Sequence, residues 1–130
     1  MLRCLIVDDS RWFLDAARAL LDREGVTVVG VASNGVEAQR RVAELRPDVV
    51  LLDIDLGGES GFELARRLQP EDGRPPARLI LISTHDEEDY AELIAASPAV
   101  GFLPKVTLSA TAVRGLLDEH SGRVSGLRGT

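Results

Sequence analysis

The stretch Val49-Val50-Leu51-Leu52-Asp53 constrains the fold more than any other. Four apolar residues run straight into a carboxylate. A short, continuous apolar run of this kind suits a strand buried on both faces, as in a parallel sheet under helices. An unpaired carboxylate inside such a strand would be costly, so Asp53 belongs at the strand's end, where a site can open. In open parallel sheets, ligands sit just outside the carboxyl ends of the strands. The remaining segments can be read around that one edge.

Four other short segments read as strands. The first runs from Leu2 to Val7 and ends at Asp8-Asp9, and the second runs from Val26 to Ala32. The fourth, within Arg78 to Ser83, ends at Ser83. The fifth, Val100 to Leu103, leads into Pro104-Lys105, and because Pro104 lacks an N–H donor this strand belongs at a sheet edge. Helical segments separate them. Asp9 or Ser10 can cap the first, in which Phe13, Ala16, Ala17, Leu20 and Leu21 follow the spacing of one buried face. Asn34 with Glu37, and Ser60 with Glu63, have the spacing of capping boxes for the second and third. Phe62, Leu64, Ala65 and Leu68 supply the apolar positions of the third. Asp86 to Asp89 place four acids at the start of a fourth helix, at the positive end of its dipole. Ser109 can cap a fifth, carrying Ala112, Val113, Leu116 and Leu117. Pro70 to Pro76 reads as a polar surface loop. Five strands alternating with five helices imply a parallel sheet covered on both faces. The expected organisation is one domain over residues 1–120 and a flexible tail over 121–130, where the hydrophobic periodicity stops.

Charge narrows the partners. The net charge is −6, and all 21 acids lie before residue 121. Nucleic-acid binders present basic patches, so direct DNA or RNA contact is not expected. Cys4 is the only cysteine, which excludes an intramolecular disulfide and fits a reducing compartment. It sits in an apolar strand and reads as a small buried hydrophobe. No apolar run reaches membrane-spanning length, and Asp8-Asp9 come too early for a signal peptide. The expected location is the cytoplasm, away from any membrane.

Parallel strands would bring Asp8, Asp9, Asp53, Ser83 and Lys105 to one edge. Three carboxylates there repel one another, at a cost on the order of 4 kcal/mol per pair for ~4 Å separation and an effective dielectric near 20. Raised pKa values or a bound dication relieve this, and an all-oxygen site suits Mg²⁺. Lys105 offers a fixed positive charge and Ser83 a hydroxyl. An aspartate nucleophile that forms an acyl phosphate is an established covalent strategy, which makes Asp53 a candidate phosphate acceptor. Each residue alone reads as a cap, a solvated turn or a structural group. Their order on successive strand ends carries the functional reading.

The motifs Leu5-Ile6-Val7-Asp8-Asp9-Ser10, Val50-Leu51-Leu52-Asp53, Ser60-Gly61-Phe62-Glu63-Leu64, Ile82-Ser83 and Gly101-Phe102-Leu103-Pro104-Lys105 together closely resemble the receiver domain of bacterial two-component response regulators, over residues 2 to about 120. The resemblance implies a flavodoxin-like doubly wound sheet of five parallel strands in the order 2-1-3-4-5, with five helices. It implies a signalling phosphoacceptor, not a turnover enzyme, that assists its own phosphorylation and dephosphorylation. A histidine kinase or phosphotransfer protein would donate phosphate to Asp53. Asp8, Asp9, Asp53 and the backbone carbonyl of Asp55 would hold Mg²⁺, while Ser83 and Lys105 would bind the phosphoryl group. Phe102 occupies the family's aromatic switch position. Asp55 and His85 occupy positions that tune how long the phosphate survives.

Three departures stand out. Gly57 replaces a common proline, so that loop is expected to be more mobile, and Thr84 replaces the usual alanine beside the site. Val106 replaces the proline that usually follows the lysine, and since a cis non-proline bond costs about 3 kcal/mol, a trans bond is expected there. With about ten residues after the last helix, a stand-alone receiver is expected. Its output would pass through a downstream protein partner or a phosphorylation-dependent homodimer, by way of the face built from the fourth helix, fifth strand and fifth helix. A receiver fragment of a DNA-binding transcriptional regulator is one alternative. A haloacid-dehalogenase-like phosphatase, suggested by Asp53-Ile54-Asp55, is another, although Gly57 stands where that motif carries Thr or Val. A degenerate receiver that binds partners without phosphate is a third, and the full acid, Ser and Lys set argues against it.

Overall fold

The computed structural model describes residues 1–70 and 76–129, with the backbone alone described over 121–129. Its strands are β1 (Arg3–Val7), β2 (Thr27–Ala32), β3 (Val49–Asp53), β4 (Arg78–Ser83) and β5 (Gly101–Pro104). Its α-helices are α1 (Arg11–Arg23), α2 (Gly35–Leu45), α3 (Gly61–Arg67), α4 (Ala91–Ala95) and α5 (Ala110–Gly129). The strands form one parallel sheet in the order β2-β1-β3-β4-β5, the expected flavodoxin-like topology, with β5 at an edge where Pro104 needs no partner.

The side-chain alternation of strands divides the core into two layers. Cys4 and Ile6 of β1, Val49 and Leu51 of β3, and Ile80 and Ile82 of β4 meet Leu14, Ala17 and Leu21 of α1 and Val113 and Leu117 of α5. The alternate residues, Leu5, Val7, Val50, Leu52, Leu79, Leu81 and Phe102, meet Ala38 of α2 and Phe62, Leu64 and Ala65 of α3. Every residue of β3 is buried, as its continuous apolar run requires. The Cys4 thiol is sealed in the first layer, and burial pushes its pKa up to about 12, so it is inert at neutral pH.

Capping follows the sequence closely. Ser10 accepts from the Phe13 amide, Asn34 from Glu37, Ser60 from Glu63 and Ser109 from Ala112. Glu37 in turn accepts from the amide of Ser33, one residue before the expected cap.

Two expectations need correction. Ala16 is exposed, and the buried stripe of α1 is Leu14, Ala17 and Leu21 with Phe13 and Leu20 half-buried. The acids after β4 form a 3-10 turn over Glu87–Tyr90, and α4 is only five residues long. The backbone of α5 continues past residue 120, while the side chains of the expected tail lie outside the described residues. Residues 71–75 of the expected loop also lie outside them. Among the described residues no helix is long and apolar enough to cross a membrane.

Candidate functional site

Strand register sets the geometry of the sheet edge. Val7 pairs with Leu52, so Asp8 falls beside Asp53. Asp53 pairs with Ile82, so Ser83 lies one step beyond it, and Ser83 pairs with Pro104, which delivers Lys105. The five residues thus converge because parallel neighbours end together.

Asp8 is fully buried, Asp53 is 5% exposed and Ser83 is 1% exposed, whereas Asp9 faces solvent. Asp8 Oδ1 accepts from the Ser10 amide at 2.8 Å, which turns the chain into α1. Asp53 Oδ1 accepts from the Asp55 amide at 3.2 Å. Lys105 Nζ donates to Asp53 Oδ2 at 3.1 Å and lies 2.6 Å from Asp8 Oδ2. This second approach is off the hydrogen-bonding direction. It is an ionic contact that leaves Asp8 Oδ2, shut away from water, without an aligned donor. One oxygen from each of Asp8, Asp9 and Asp53 lies within 4.8 Å of the others.

These contacts shift charge states. Burial raises the Asp53 carboxyl from 3.8 to about 6, and the nearby Asp8 charge adds to the effect, while the Asp55 amide and Lys105 partly offset it. Burial disfavours the Lys105 charge, but the contact with Asp8 and the negative charges of Asp53 and Asp8 outweigh this and raise its pKa. Three acids against one ammonium leave the edge short of positive charge. Together with the undonated Asp8 Oδ2 and the all-oxygen donor set, this suits a small divalent cation.

The other expected residues surround this centre. Ser83 Oγ accepts from the His85 amide at 2.9 Å, so its hydroxyl proton remains to be donated. Phe102 is buried in the second core layer, against which Tyr90 and Ile94 pack. His85 is exposed at the backbone turn, with its ring edge-on to Tyr90, centroids 5.9 Å apart. Asp55 is exposed, and its Oδ1 accepts from the Gly57 amide at 3.2 Å, which helps to shape its own loop. Thr84 is exposed at the mouth of β4, and Lys105–Val106 is trans, since no cis peptide bond occurs among the described residues.

The roles of three residues at the site escaped sequence reading. Gly57 has φ +64, where a side chain is strained and proline is excluded, and a Cβ there would meet Asp9 Oδ2 at 2.8 Å. The glycine that replaces proline therefore brings the loop against a site carboxylate. A Cβ on Gly61 would collide with the Asp53 carbonyl oxygen, so this glycine lets α3 start directly against the end of β3. The Gly57-Gly58 pair was a visible signal for positive φ. Phe13, read as part of the α1 core face, lies with its ring centroid 4.6 Å from Lys105 Nζ. Nothing local in the sequence marks that role.

A profile of the response regulator receiver domain matches residues 4–113. The response regulator GacA of Pseudomonas viridiflava is 32% identical over 106 residues, which are 81% of this chain and 49% of that protein. A protein-glutamate methylesterase/protein-glutamine glutaminase of Myxococcus xanthus is 38% identical over 112 residues, 85% of this chain and 32% of that protein. The chain thus spans half or less of the length of these curated relatives. A two-component response regulator of the LuxR family from Aurantimonas superposes with a TM-score of 0.77 at 30% identity, covering 92% of this chain and 85% of that one. The aligned strand ends, the paired acids and lysine at the sheet edge, and the profile match agree: the chain belongs to the receiver domains of response regulators.

Proposed function

We propose that Asp53 is the phosphoacceptor of a two-component or phosphorelay pathway in the cytoplasm, charged by a sensor histidine kinase or a phosphotransfer protein. The observation that carries this reading is Lys105 Nζ held between Asp8 Oδ2 and Asp53 Oδ2 at the buried end of β3. A lysine so placed can follow the reacting oxygen as it gains a phosphoryl group. An Asp53 carboxylate oxygen forms a bond to phosphorus as the donor's P–N bond breaks. The electron pair leaves on the donor nitrogen, which takes a proton from solvent. Lys105 then turns one N–H from Asp53 to a phosphoryl oxygen, and Ser83 donates its hydroxyl proton to another. Hydrolysis reverses the charge: water attacks phosphorus, the P–O bond to Asp53 breaks, and the carboxylate is regenerated.

Asp8, Asp9 and Asp53, with the backbone carbonyl of Asp55, would hold Mg²⁺. Bound there, the ion would offset the negative charge of the carboxylates and the incoming phosphoryl group. Phe102 is the proposed switch residue. It pairs with Leu81 on β5, two residues before Pro104, which pairs with Ser83, and it would relay a change at Ser83 and Lys105 to the face built from α4, β5 and α5. That face would engage a downstream protein or a second copy of the chain. The acids of Glu87–Tyr90 lie beside it, which makes DNA a poor partner there. The family match leaves the Asp53-Ile54-Asp55 phosphatase reading without support.

The test is incubation with a low-molecular-weight phosphodonor, with and without Mg²⁺, followed by intact mass. Addition of one phosphoryl group only with Mg²⁺, lost in Asp53→Asn, is the expected result. Undiminished labelling of that variant would overturn the assignment.

A further inference from the structure

Lys105 is the only lysine in the chain, and its ammonium is enclosed from three directions. Asp8 Oδ2 and Asp53 Oδ2 occupy two of them, at 2.6 and 3.1 Å. The ring of Phe13, from the first turn of α1, occupies the third, with Nζ 4.6 Å from its centroid. The lysine side chain is 14% exposed, so little water competes for the ammonium. We propose that Phe13 is a positioning residue for phosphoryl transfer, which holds the Lys105 ammonium by a cation–π contact while its N–H groups exchange one acceptor for another.

The argument follows from what an ammonium can do. It has three N–H donors and a rotatable head. In the unphosphorylated protein one donor serves Asp53 Oδ2, and the charge is held beside Asp8 Oδ2 by an ionic contact. When Asp53 Oδ2 becomes part of an acyl phosphate, that donor must retarget to a phosphoryl oxygen. The face of an aromatic ring attracts a cation without requiring an aligned lone pair. Phe13 therefore restrains the third direction of Nζ without fixing the rotation that retargeting needs, and it keeps water out of that direction. An aliphatic side chain would fill the same space but supply no attraction to the cation.

The position is set by two elements that need no other reason to meet. Ser10 caps α1 directly after the acid pair, which places Phe13 in the first turn, above the sheet edge. Lys105 follows Pro104 at the end of β5 and enters a 3-10 turn over Lys105–Thr107. The α1 helix packs on the same sheet face as α5, so the gap across the strand ends is spanned by the lysine stem on one side and the phenyl ring on the other. Trp12, next to Phe13, is 80% exposed and is the only tryptophan, so it offers a single fluorescence probe that does not form the site's walls.

This inference rests on the phosphoacceptor reading, and the experiment separates the two. Wild type, Phe13→Tyr and Phe13→Leu are phosphorylated with acetyl phosphate and Mg²⁺, and the rate is read by intact mass. Phe13→Tyr keeps the ring, while Phe13→Leu keeps bulk and hydrophobicity alone. Mg²⁺ affinity is read from Trp12 fluorescence, and Lys105 from the single methylene resonance of protein carrying ¹³C at lysine Cε. The expected result is a rate for Phe13→Tyr close to wild type and a rate for Phe13→Leu lower by on the order of fivefold, the size of one cation–π contact. Mg²⁺ affinity should be alike in all three. The lysine methylene protons should be shifted upfield by the ring in wild type and Phe13→Tyr and return to their ordinary position in Phe13→Leu. Equal rates in all three proteins, equal slowing of both variants, or a lysine resonance unshifted in wild type would overturn the proposal. Absence of labelling in wild type would instead refute Asp53 as phosphoacceptor, and the lysine resonance would still decide whether the contact exists.

Discussion

Removing the charge of Asp53 should make the protein more stable. Its carboxyl is raised from 3.8 to about 6, first by burial and then by the Asp8 charge. The folded state thus holds the proton more tightly than the unfolded chain. The sign follows: the favourable contribution of the protonated form is complete below about pH 3.8 and is lost as pH rises through about 6. Above that, the rise from 3.8 to about 6 means the ionised carboxylate costs roughly 3 kcal/mol. Asp53→Asn removes this cost and keeps a carbonyl oxygen for the Asp55 amide. Its new NH₂ can also face Asp8 Oδ2, which has no aligned donor. Against this, Lys105 loses one of its two carboxylates and keeps Asp8. The net gain should be about 1–3 kcal/mol near pH 7.5 without Mg²⁺, which raises Tm by roughly 4 °C per kcal/mol for a domain of this size. Near pH 4 most folded wild-type molecules carry the proton, and the gain should fall below about 1 kcal/mol. Urea unfolding of both proteins in EDTA, at both pH values, measures this directly. Adding Mg²⁺ should stabilise wild type more than the variant, because only wild type keeps all three carboxylates. A variant less stable than wild type near pH 7.5, or a gain of equal size at both pH values, would refute the reasoning.

Two further outcomes follow from the flanking loops. Gly57→Ala forces a side chain into φ +64 and against Asp9 Oδ2, so it should cost about 1–2 kcal/mol and weaken Mg²⁺ binding, read by urea unfolding and by titration of Trp12 fluorescence. Asp55 and His85 flank the site on neighbouring loops; Asp55→Ala should lengthen the phosphate's lifetime by up to ~10²-fold if its carboxylate orients the attacking water, and His85→Ala should change the decay as well. Decay followed by intact mass checks both, and unchanged decay leaves them as loop-shaping residues.

The sequence by itself determined the sheet and the edge at which the site lies. Hydrophobic alternation and continuous apolar runs are local consequences of burial, and parallel strands must end on the same side. Asp8, Asp9, Asp53, Ser83 and Lys105 were therefore legible as a set before any contact was known. Capping was legible for the same reason, since Ser10, Asn34, Ser60 and Ser109 act on amides three residues away. Tertiary structure decided which face of α1 is buried, because periodicity alone did not separate Ala16 from Leu14. It also decided how the acids are shared: Lys105 reaching both Asp8 and Asp53, and Asp8 Oδ2 left without a donor, depend on the stagger of three strands and on a flexible stem. Phe13 over Lys105 is the clearest case. A helix residue near one end of the chain and a loop residue near the other meet only because α1 and β5 are fixed to one sheet. A cation–π contact leaves no spacing rule in the sequence, since its strength depends on where a ring faces in space.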